Sequence, residues 1–585
     1  MSIFKQIFLL LDSPDKKKAY LLIFLTLIMA MLDTLGVASI LPFMALLSDT
    51  SLIETNSYLA YAYDFFEFKT PRDFLNSIGL AIFFIFLFSM IFKAFTTFFQ
   101  LRFISNQVHK IGVRLLKGYL NQNYNWFINK NSSDLSKNII SEVDNVIHGS
   151  LSTLINLISQ LLVSLAILSL IVYVDPKLAI IIGSTLSLAY LMLYKITARF
   201  VLKVGGQRVK SNKKRFISIS EIFGSMKEVK LRGLESCVIS SFISPSEEYA
   251  KHIATSKITA QLPKYFLESF AFGGILLVSL YQISSSANFS SSIPIISLYA
   301  FAGYRLMPAM QQIYSSLTEI NFNNSALNLL CRDINILKLN EGKTFIKSSN
   351  PFAFKRNITL ENISFSFSKS QKVIKNISLE IKRNEKIGFI GPTGSGKSTL
   401  VDILTGLLEP KSGSIKVDNI PLDESSIADF QSFIGYVPQH IYLYDSSIIN
   451  NIAFGEKDEG IDKDYVEFVS KIANIHEFIT SLPGGYNTLT GERGVKLSGG
   501  QIQRIGIARA LYRKPKILIL DEATSALDNK TEKLVMDSIV ANSEEITLIM
   551  IAHRMSSLKE CDRIFSLKEG KIIASGSYAE IIEKK

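Results

Sequence analysis

Long apolar stretches fill the first half of the chain and are missing from the second half. Six of them reach the length of about 20 residues with which a helix crosses a ~30 Å hydrocarbon core. They cover residues 19–47, 77–103, 147–174, 178–197, 265–283 and 293–317. The pattern predicts an α-helical membrane domain with six transmembrane helices, which we place at residues 1–330.

The connections after the second and fourth apolar stretches are long and basic. The first carries Lys110, Arg114 and Lys117, and the second carries a denser series of lysines and arginines. Because positive residues accumulate on the cytoplasmic side of membrane proteins, we expect both termini and these two segments in the cytoplasm. Each segment is predicted to be helical, with turns near residues 126–137 and 224–232.

Aromatic residues recur at helical spacing in the first external connection, as Tyr58, Tyr61, Phe65 and Phe66, with Ala62 among them. This spacing predicts an amphipathic helix. Such a helix could rest in the outer leaflet and contact a lipid tail, or it could pack as a cap on the helix bundle. The sequence leaves both interpretations open.

Alternating strand-like and helix-like runs, broken by glycine and asparagine, begin near residue 339. This alternation is typical of a soluble α/β domain with a parallel sheet. We place a linker at residues 331–351 and the α/β domain at residues 352–585.

Composition and charge agree with a membrane protein. Of the 585 residues 48% are hydrophobic and 40 are phenylalanine, more than a soluble protein needs for its cores. Basic residues beside the apolar stretches account for much of the net charge of +12, so we predict membrane lipids and no nucleic acid among the partners. The cysteines, Cys237, Cys331 and Cys561, form no CxxC pair, which argues against a zinc site or a disulfide framework.

A phosphate-binding pattern, GxxxxGK[ST], follows the apolar run at residues 386–390 and opens a predicted helix. Its residues, with the one that follows, are Gly391, Pro392, Thr393, Gly394, Ser395, Gly396, Lys397, Ser398 and Thr399. Backbone N–H groups of such a loop surround phosphate oxygens, Lys397 adds a positive charge, and the Ser398 hydroxyl can bind Mg²⁺. The pattern predicts a site for ATP.

A second apolar run, residues 517–520, ends in Asp521 and Glu522. It has the character of a buried parallel strand. We expect Asp521 to bind Mg²⁺ and Glu522 to polarise the water that attacks the γ-phosphate.

A pentapeptide lies shortly before this strand: Leu497, Ser498, Gly499, Gly500 and Gln501. With it, the whole chain resembles the ATP-binding cassette (ABC) exporter family. The resemblance implies an ATPase coupled to transmembrane transport, with ATP and Mg²⁺ as cofactors. It also implies that the phosphate-binding loop and the pentapeptide both contact the nucleotide.

The resemblance assigns roles to single residues as well. Gln439 matches the glutamine that reaches the metal and the attacking water, and His553 matches the histidine that senses the γ-phosphate. Asp528 lies in the D-loop, and Phe367 takes the adenine-stacking position that usually holds tyrosine, where its ring can still stack. Leu489 replaces an acidic residue that contacts the membrane domain in the family.

The chain holds one GxxxxGK[ST] loop, with Lys397, and one pentapeptide. Proteins of the family bind ATP between the phosphate-binding loop of one nucleotide domain and the pentapeptide of a second domain. The resemblance therefore implies a half-transporter that works as a homodimer with two ATP sites. The turns near residues 126–137 and 224–232 resemble the coupling helices of the family.

Charged residues inside the apolar stretches are candidates for a cargo site. An ionisable group at bilayer depth costs about 2.5–3.5 kcal/mol on insertion scales and normally faces a cavity or a partner. The bases are Lys93, Lys264 and Arg305, and the acids are Asp33 and Glu268. The bases could line a cavity for a phosphate or pyrophosphate head group, or the acids could neutralise them within the bundle.

Three segments of the membrane domain, residues 34–43, 262–268 and 304–308, resemble the bacterial lipid-linked oligosaccharide flippases of protein N-glycosylation. This resemblance implies ATP-driven flipping of an oligosaccharide on a polyprenyl pyrophosphate, from the cytoplasmic to the periplasmic leaflet of the inner membrane. The nucleotide-binding domain would be cytoplasmic. The alternative is an ABC exporter of another cargo: a lipid A-like lipid, another glycolipid, a peptide or a drug.

Overall fold

The computed structural model describes residues 3–583 apart from 49, 51, 175, 286–288, 339–353, 368–371, 424, 543–544 and 553–554. The chain divides into two compact units. The first comprises Met1–Gln122 and Asn129–Glu341, and the second comprises Asn123–Ile128 and Gly342–Lys585.

Helices precede the α/β part of the chain. In chain order they are α1 (Ile3–Leu10), α2 (Ser13–Ala38), α3 (Ile40–Ser48), α4 (Leu52–Thr55), α5 (Ser57–Phe65), α6 (Pro71–Leu120), α7 (Tyr124–Ile128), α8 (Ser132–Lys137), α9 (Val143–Val146), α10 (Thr153–Val174), α11 (Pro176–Gly224), α12 (Met226–Arg232), α13 (Glu235–Ser285) and α14 (Phe289–Lys338). Four of them, α6, α11, α13 and α14, have 49 to 51 residues. Because about 20 residues cross a bilayer, each of these helices is long enough to continue well beyond it.

Three helical segments in the described part of the chain are long and apolar enough to cross a membrane: Ser13–Leu47, Pro71–Leu120 and Ser132–Tyr173. They coincide with the first three predicted stretches. The other three predicted stretches lie within α11, α13 and α14. The count of six transmembrane helices therefore stays a prediction.

The first predicted stretch consists of two helices, because α2 ends at Ala38 and α3 begins at Ile40. Pro42 has no N–H to donate to the carbonyl of Ala38, so a continuous helix would lose a hydrogen bond there. Short helices occupy the predicted turns of the two basic segments, α7 and α8 at the first and α12 at the second.

Helix α14 continues to Lys338, past residue 331 where the sequence places the start of the linker. Leu330, Ile334 and Leu337 are buried at the three- and four-residue spacing of one helix face, which extends the helix into this segment. The rest of the predicted linker, residues 339–351, lies outside the described residues.

A fully buried ion pair joins three helical elements of the first unit. Arg208 of α11 donates to Glu142 at 2.7 Å, and neither side chain has exposed surface. Asn212 donates to the other Glu142 oxygen at 2.9 Å, and Asn323 of α14 accepts from Arg208 at 3.4 Å. Since a buried charge without its partner is strongly destabilising, this cluster fixes how the helices sit against one another.

Two glycines allow α14 to approach its neighbours closely. A Cβ atom on Gly205 of α11 would clash with the carbonyl oxygen of Phe322, and one on Gly149 would clash with the amide of Asn323. Gly149 lies in a π-helical segment, Ile147–Ser152. The Gly205 contact is with backbone, so a side chain there would displace a helix, whereas the Gly149 contact is with the side-chain amide of Asn323.

Two β-sheets form the framework of the second unit. The strands are β1 (Asn357–Phe365), β2 (Ile374–Lys382), β3 (Lys386–Ile390), β4 (Ser412–Val417), β5 (Ile420–Pro421), β6 (Ile434–Val437), β7 (Ile517–Asp521), β8 (Thr547–Ile551), β9 (Arg563–Lys568) and β10 (Lys571–Gly576). The smaller sheet is antiparallel in the order β2-β1-β4-β5. The larger has the order β10-β9-β3-β8-β7-β6, and all its strands except β10 run parallel.

Helices cover both faces of the larger sheet. They are α15 (Lys397–Leu404), α16 (Ile427–Ser432), α17 (Ile448–Ile452), α18 (Lys463–Ile472), α19 (His476–Ser481), α20 (Gly499–Tyr512), α21 (Asn529–Ala541) and α22 (Tyr578–Glu583). One core contains Leu400 of α15, Leu360 of the smaller sheet and Ile519 of β7. The other packs Leu518 of β7 with Ile507 of α20. Because both faces of β7 are buried, its sequence is apolar without alternation.

Replacing Gly205 by alanine should destabilise the first unit, because the added methyl group has no room beside the Phe322 carbonyl. We expect a loss of about 1–3 kcal/mol, seen as a lower melting temperature of the purified protein in detergent. Gly224→Ala is the matched control, since Gly224 ends the same helix and a Cβ there meets no atom within 4 Å. Equal melting temperatures for the two variants would contradict the close approach of α11 and α14.

Candidate functional site

The predicted nucleotide motifs follow parallel strands that are neighbours in the larger sheet. β3 leads into Gly391, β6 leads into Gln439, β7 ends at Asp521 and β8 leads towards His553. The carboxyl ends of parallel strands lie at one edge of the sheet, so these motifs meet there. The structure brings the first three together, whereas His553 lies outside the described residues.

The loop between β3 and α15 curves around open space. Gly394 and Gly396 have φ angles of +79° and +99°, and a Cβ atom on Gly394 would meet no atom within 4 Å. Lys397 Nζ donates to the carbonyl oxygens of Gly391 at 2.8 Å and Pro392 at 3.1 Å. The first N–H groups of α15 point out of the helix at this loop. A phosphate group fits this arrangement of donors.

Near this loop lie two charged side chains with shifted pKa values and one buried hydroxyl group. Burial lowers the pKa of Lys397, while Glu522 and Asp521 act in the opposite direction. Burial and the Asp521 carboxylate raise the pKa of Asp402 to about 6. The Ser395 hydroxyl is buried without a hydrogen-bond partner in the described part of the protein. A bound phosphate would give the Ser395 hydroxyl a hydrogen-bond partner and place negative charge beside Lys397.

The oxygen atoms near this edge are of the kind that Mg²⁺ prefers. Asp521 is buried at the end of β7, and Ser398 is exposed in the first turn of α15. Gln439 Nε2 donates to Glu522 Oε2 at 2.8 Å, which leaves the Gln439 amide oxygen for a metal. Within the described residues, no group of three or more His, Cys, Asp and Glu side chains could hold a metal ion. Mg²⁺ at this site would therefore also use phosphate oxygens of the nucleotide.

Glu522 has an unusual backbone conformation. Its φ angle of +52° lies in the left-handed region, which is uncommon for a residue with a side chain. Its N–H donates to the carbonyl of Ile551 in β8 at 3.0 Å, and Gln439 binds its carboxylate. These contacts hold the carboxylate in place against a conformational cost of order 1–3 kcal/mol.

The pentapeptide forms the start of α20. Ser498 Oγ accepts from the N–H of Gln501 at 3.3 Å, and Gln501 Oε1 accepts from the N–H of Ser498 at 2.8 Å. This is a capping box, which satisfies N–H groups at the helix start. Gly499 and Gly500 follow as the first helical residues. The pentapeptide thus presents a helix N-terminus, which favours negative charge.

The remaining predicted nucleotide contacts lie on other elements. Phe367 is 45% exposed and available for stacking, Thr399 lies in the first turn of α15, and Leu497 packs partly buried against the core. Asp528 is the N-cap of α21 and accepts from the N–H of Thr531 at 2.9 Å. This hydrogen bond is the first cause of its lowered pKa. Asp528 therefore has a structural role whether or not it contacts a nucleotide.

Two buried polar residues that the motifs did not single out tie the loops of this edge together. Gln503 of α20 accepts from the N–H of Ala526 at 3.0 Å. Glu532 of α21 accepts from Thr524 at 2.9 Å and from Ser557 at 2.6 Å. A polar residue on an otherwise apolar helix face is the sequence signal that could have identified them.

The first unit contains a cavity of about 490 Å³. Its lining combines two basic side chains, one acid and several amides: Met29, Asp33, Lys93, Asn156, Gln160, Val163, Tyr304, Arg305, Pro308, Ala309 and Gln312. Lys93 and Arg305 therefore line the same cavity.

The acids also pair with these bases. Arg305 lies 3.6 Å from Asp33, which accepts from Ser89 at 2.9 Å. Lys264 lies 3.7 Å from Glu268 on the next turn of α13 and is not part of the cavity lining. Both interpretations from the sequence hold for Arg305, since it has an acidic partner and faces a cavity.

Helix α5 occupies the predicted aromatic segment of the first external connection. Tyr58, Tyr61, Phe65 and Phe66 are 66–86% exposed. Ala62 packs on the opposite side, against a small buried cluster. One face of the helix therefore serves as a packing cap, and the other presents aromatic rings outward.

Comparison with known families identifies both halves of the chain. Residues 39–308 match the family described as ABC transporter transmembrane region, and residues 374–525 match the family described as ABC transporter. These matches agree with the helical unit and with the nucleotide motifs.

Similar proteins match along most of the chain. The ABC transporter ATP-binding protein YknU of Bacillus subtilis (strain 168) is 30% identical over 85% of this chain and 85% of its own length. The ATP-dependent lipid A-core flippase of Burkholderia pseudomallei (strain 1710b) is 29% identical over 83% of this chain and 81% of its own length. The ATP-dependent lipid A-core flippase of Cupriavidus metallidurans is 30% identical over 78% of this chain and 77% of its own length.

A solved structure of a bacterial Atm1-family ABC exporter with ATP bound has a TM-score of 0.77, covering 98% of this chain and 97% of its own, at 20% identity. This likeness, with the two family matches, confirms the predicted fold class. It consists of a helical transmembrane domain of exporter type followed by a C-terminal α/β P-loop domain.

Glu522→Gln should abolish steady ATP turnover while ATP binding persists, because the amide keeps the shape of the side chain and loses its capacity to accept a proton. We expect a decrease of about 10²-fold or more in phosphate release by the purified protein. Glu569→Gln is the matched control, since Glu569 is also a left-handed glutamate of the second unit, with φ of +50°. Steady turnover in Glu522→Gln equal to that of the control would rule out this role.

Proposed function

This chain belongs to the ABC transporter family, and we propose that it flips a lipid-linked oligosaccharide of the polyprenyl pyrophosphate type. It is an exporter half-transporter, a multi-pass membrane protein with one ATP-binding domain whose ATP hydrolysis drives transport. The proposed direction is from the cytoplasmic to the periplasmic leaflet of the bacterial inner membrane, with the nucleotide domain and both termini in the cytoplasm.

The cavity is the observation that carries this proposal. Among the described residues that line it, two bases, Lys93 and Arg305, outnumber one acid, Asp33. A guanidinium group can bind phosphate oxygens in pairs, so the excess positive charge suits a pyrophosphate. The amides of Asn156 and Gln312 can both donate to and accept from sugar hydroxyl groups.

The exposed aromatic face of α5 supports a lipid cargo. Large apolar rings on an external helix favour the boundary between head groups and acyl chains. In the proposed transport step the head group passes through the cavity, while α5 contacts the lipid tail.

The ATP cycle would use the residues gathered at the sheet edge. In the proposed homodimer, the loop from Gly391 to Ser398 of one protomer and the pentapeptide of its partner bind one nucleotide. Ser398, Gln439 and Asp521 are the proposed Mg²⁺ ligands, and the metal would neutralise phosphate charge. Glu522 would accept the proton of the attacking water.

Three further residues have proposed roles around the nucleotide. Phe367 would stack on the adenine, His553 would contact the γ-phosphate and Asp528 would face the partner protomer. Closure of the paired domains would then move the membrane helices through α7 and α12.

A lipid A-core cargo is the second candidate, and the names of relatives in Burkholderia and Cupriavidus favour it. Its head group is also an anionic glycan, so the same cavity chemistry applies. The two candidates differ in the lipid and in the sugar, which a direct transport measurement can separate.

Purified protein in liposomes should move a polyprenyl-pyrophosphate oligosaccharide between leaflets when ATP is supplied, measured by the accessibility of the glycan to an added enzyme. Movement should stop in Glu522→Gln. A parallel assay with lipid A-core tests the second candidate. Transport of lipid A-core alone would overturn the proposed cargo and keep the exporter.

Removing the basic groups of the cavity should impair transport without unfolding the protein. We expect the double variant Arg305→Gln with Asp33→Asn to lose at least about 10-fold of cargo movement, because it deletes the phosphate-binding group and leaves no unpaired charge behind. Lys93→Ala should act in the same direction. Lys264→Ala is the control, since Lys264 does not line the cavity. Full transport by the double variant at normal expression would contradict the cavity proposal.

A further inference from the structure

Helix α1 packs on the helical bundle with one face and turns the other face outward. Ile7 and Leu10 are buried on the packed side. Gln6 Nε2 donates to Asn328 of α14 at 2.6 Å, and Arg114 of α6 donates to the carbonyl of Leu10 at 3.2 Å. Because these contacts hold α1 against two long helices, the direction of its outward face is fixed as well.

The outward face is aromatic and continues onto α2. Phe4 and Phe8 lie one helical turn apart on α1, and the Phe8 ring stacks on Tyr20 of α2 with 5.8 Å between the ring centroids. Phe4, Tyr20 and Leu21 are 51–60% exposed. Tyr20 and Leu21 also begin the first apolar stretch, which is long enough to cross a membrane. Aromatic rings at such a position favour the boundary between head groups and acyl chains.

The acids beside this face are engaged by bases of α6. Asp15 is 2% exposed and pairs with Lys110 at 2.8 Å, and Asp12 pairs with Arg114 at 3.0 Å. Both negative charges are therefore compensated within the protein.

The lysines next to these acids differ from them in this respect. Residues 16–18 are all lysine and directly precede the apolar stretch, while Lys5 is exposed on α1. Among the residues that the structure describes, none of these four lysines forms an ion pair. Lys17 lies one helical turn before Leu21, so positive charge and exposed apolar surface share one face of α2.

We propose that α1 and the first turns of α2 form a binding surface for an anionic phospholipid of the surrounding bilayer. Lys5 and the lysines at residues 16–18 would contact its phosphate, and Phe4 and Tyr20 would lie beside its acyl chains. A lysine has a long apolar stem, so its ammonium group reaches the head groups while the helix stays at the boundary. This inference rests on membership of a membrane-transporter family and is independent of the proposed cargo.

The test reads this surface from the fluorescence of a tryptophan placed on it. Phe4→Trp adds the reporter to the full-length protein, and the protein without this change, whose one tryptophan is Trp126, supplies the blank. Both are reconstituted into phosphatidylcholine vesicles with a rising fraction of brominated phosphatidylglycerol or brominated phosphatidylcholine, which quench tryptophan on contact. Half-maximal quenching should require at least about 5-fold less of the anionic lipid, the effect of one lysine near an anionic surface. About 1 M salt should remove the difference, because it shortens the screening length to about 3 Å.

A triple variant assigns the preference to the lysines. Lys16→Gln, Lys17→Gln and Lys18→Gln together should make the two brominated lipids quench equally. The matched control removes the same charge from exposed lysines of the second unit and should keep the preference: Lys457→Gln, Lys463→Gln and Lys533→Gln. A melting temperature equal to that of the parent shows that each variant is folded.

Three results would overturn the proposed site. Equal quenching by the two lipids in the parent would exclude a preference for anionic phospholipid. A preference that survives in the triple variant of residues 16–18 would exclude these lysines as its cause. Absence of quenching by either lipid would show that the aromatic face of α1 does not meet the bilayer. No polyprenyl lipid is present in the vesicles, so none of these results depends on the cargo.

Discussion

The parallel register of β3, β8, β7 and β6 is the constraint on which the nucleotide site depends. These strands are hydrogen-bonded neighbours, so their carboxyl ends cannot shift separately. The loop before Lys397, the Gln439 segment and the pair Asp521 and Glu522 each follow one strand. Their mutual distances are therefore set by the sheet, and the apolar residues of β7 lock that sheet between two cores.

Buried charge serves two different purposes in the first unit. Arg208 and Glu142 are fully buried, and Asn212 also binds the carboxylate, so this pair acts as a structural contact between helices. Arg305 is 18% exposed and lies 3.6 Å from Asp33, beside a cavity. The charged groups of Arg208 and Glu142 are buried and bonded to each other, so a ligand cannot reach them. Arg305 keeps donors available, which is why the cavity, and not the buried cluster, supports the proposed cargo site.

Polar residues outside the motifs connect the functional segments. Gln503 and Glu532 hold the loops around Ala526 and Thr524, and Tyr436 binds Asp521. Each is hydrogen-bonded inside the domain, where an unmade bond is costly. These hydrogen bonds hold the segment that follows β7 to α20 and α21, and the end of β7 to β6.

The sequence by itself determined the fold class and the nucleotide motifs, because both depend on local patterns. Apolar runs of membrane length and the GxxxxGK[ST] loop have a physical meaning within a few consecutive residues. The sequence could not decide whether Asp33 neutralises Arg305 or whether Lys93 and Lys264 share a cavity with it. These residues lie on different helices, far apart in the chain. Only the packed tertiary structure joined Arg305 with Asp33 and Lys93, left Lys264 with Glu268, and placed Tyr436 on Asp521.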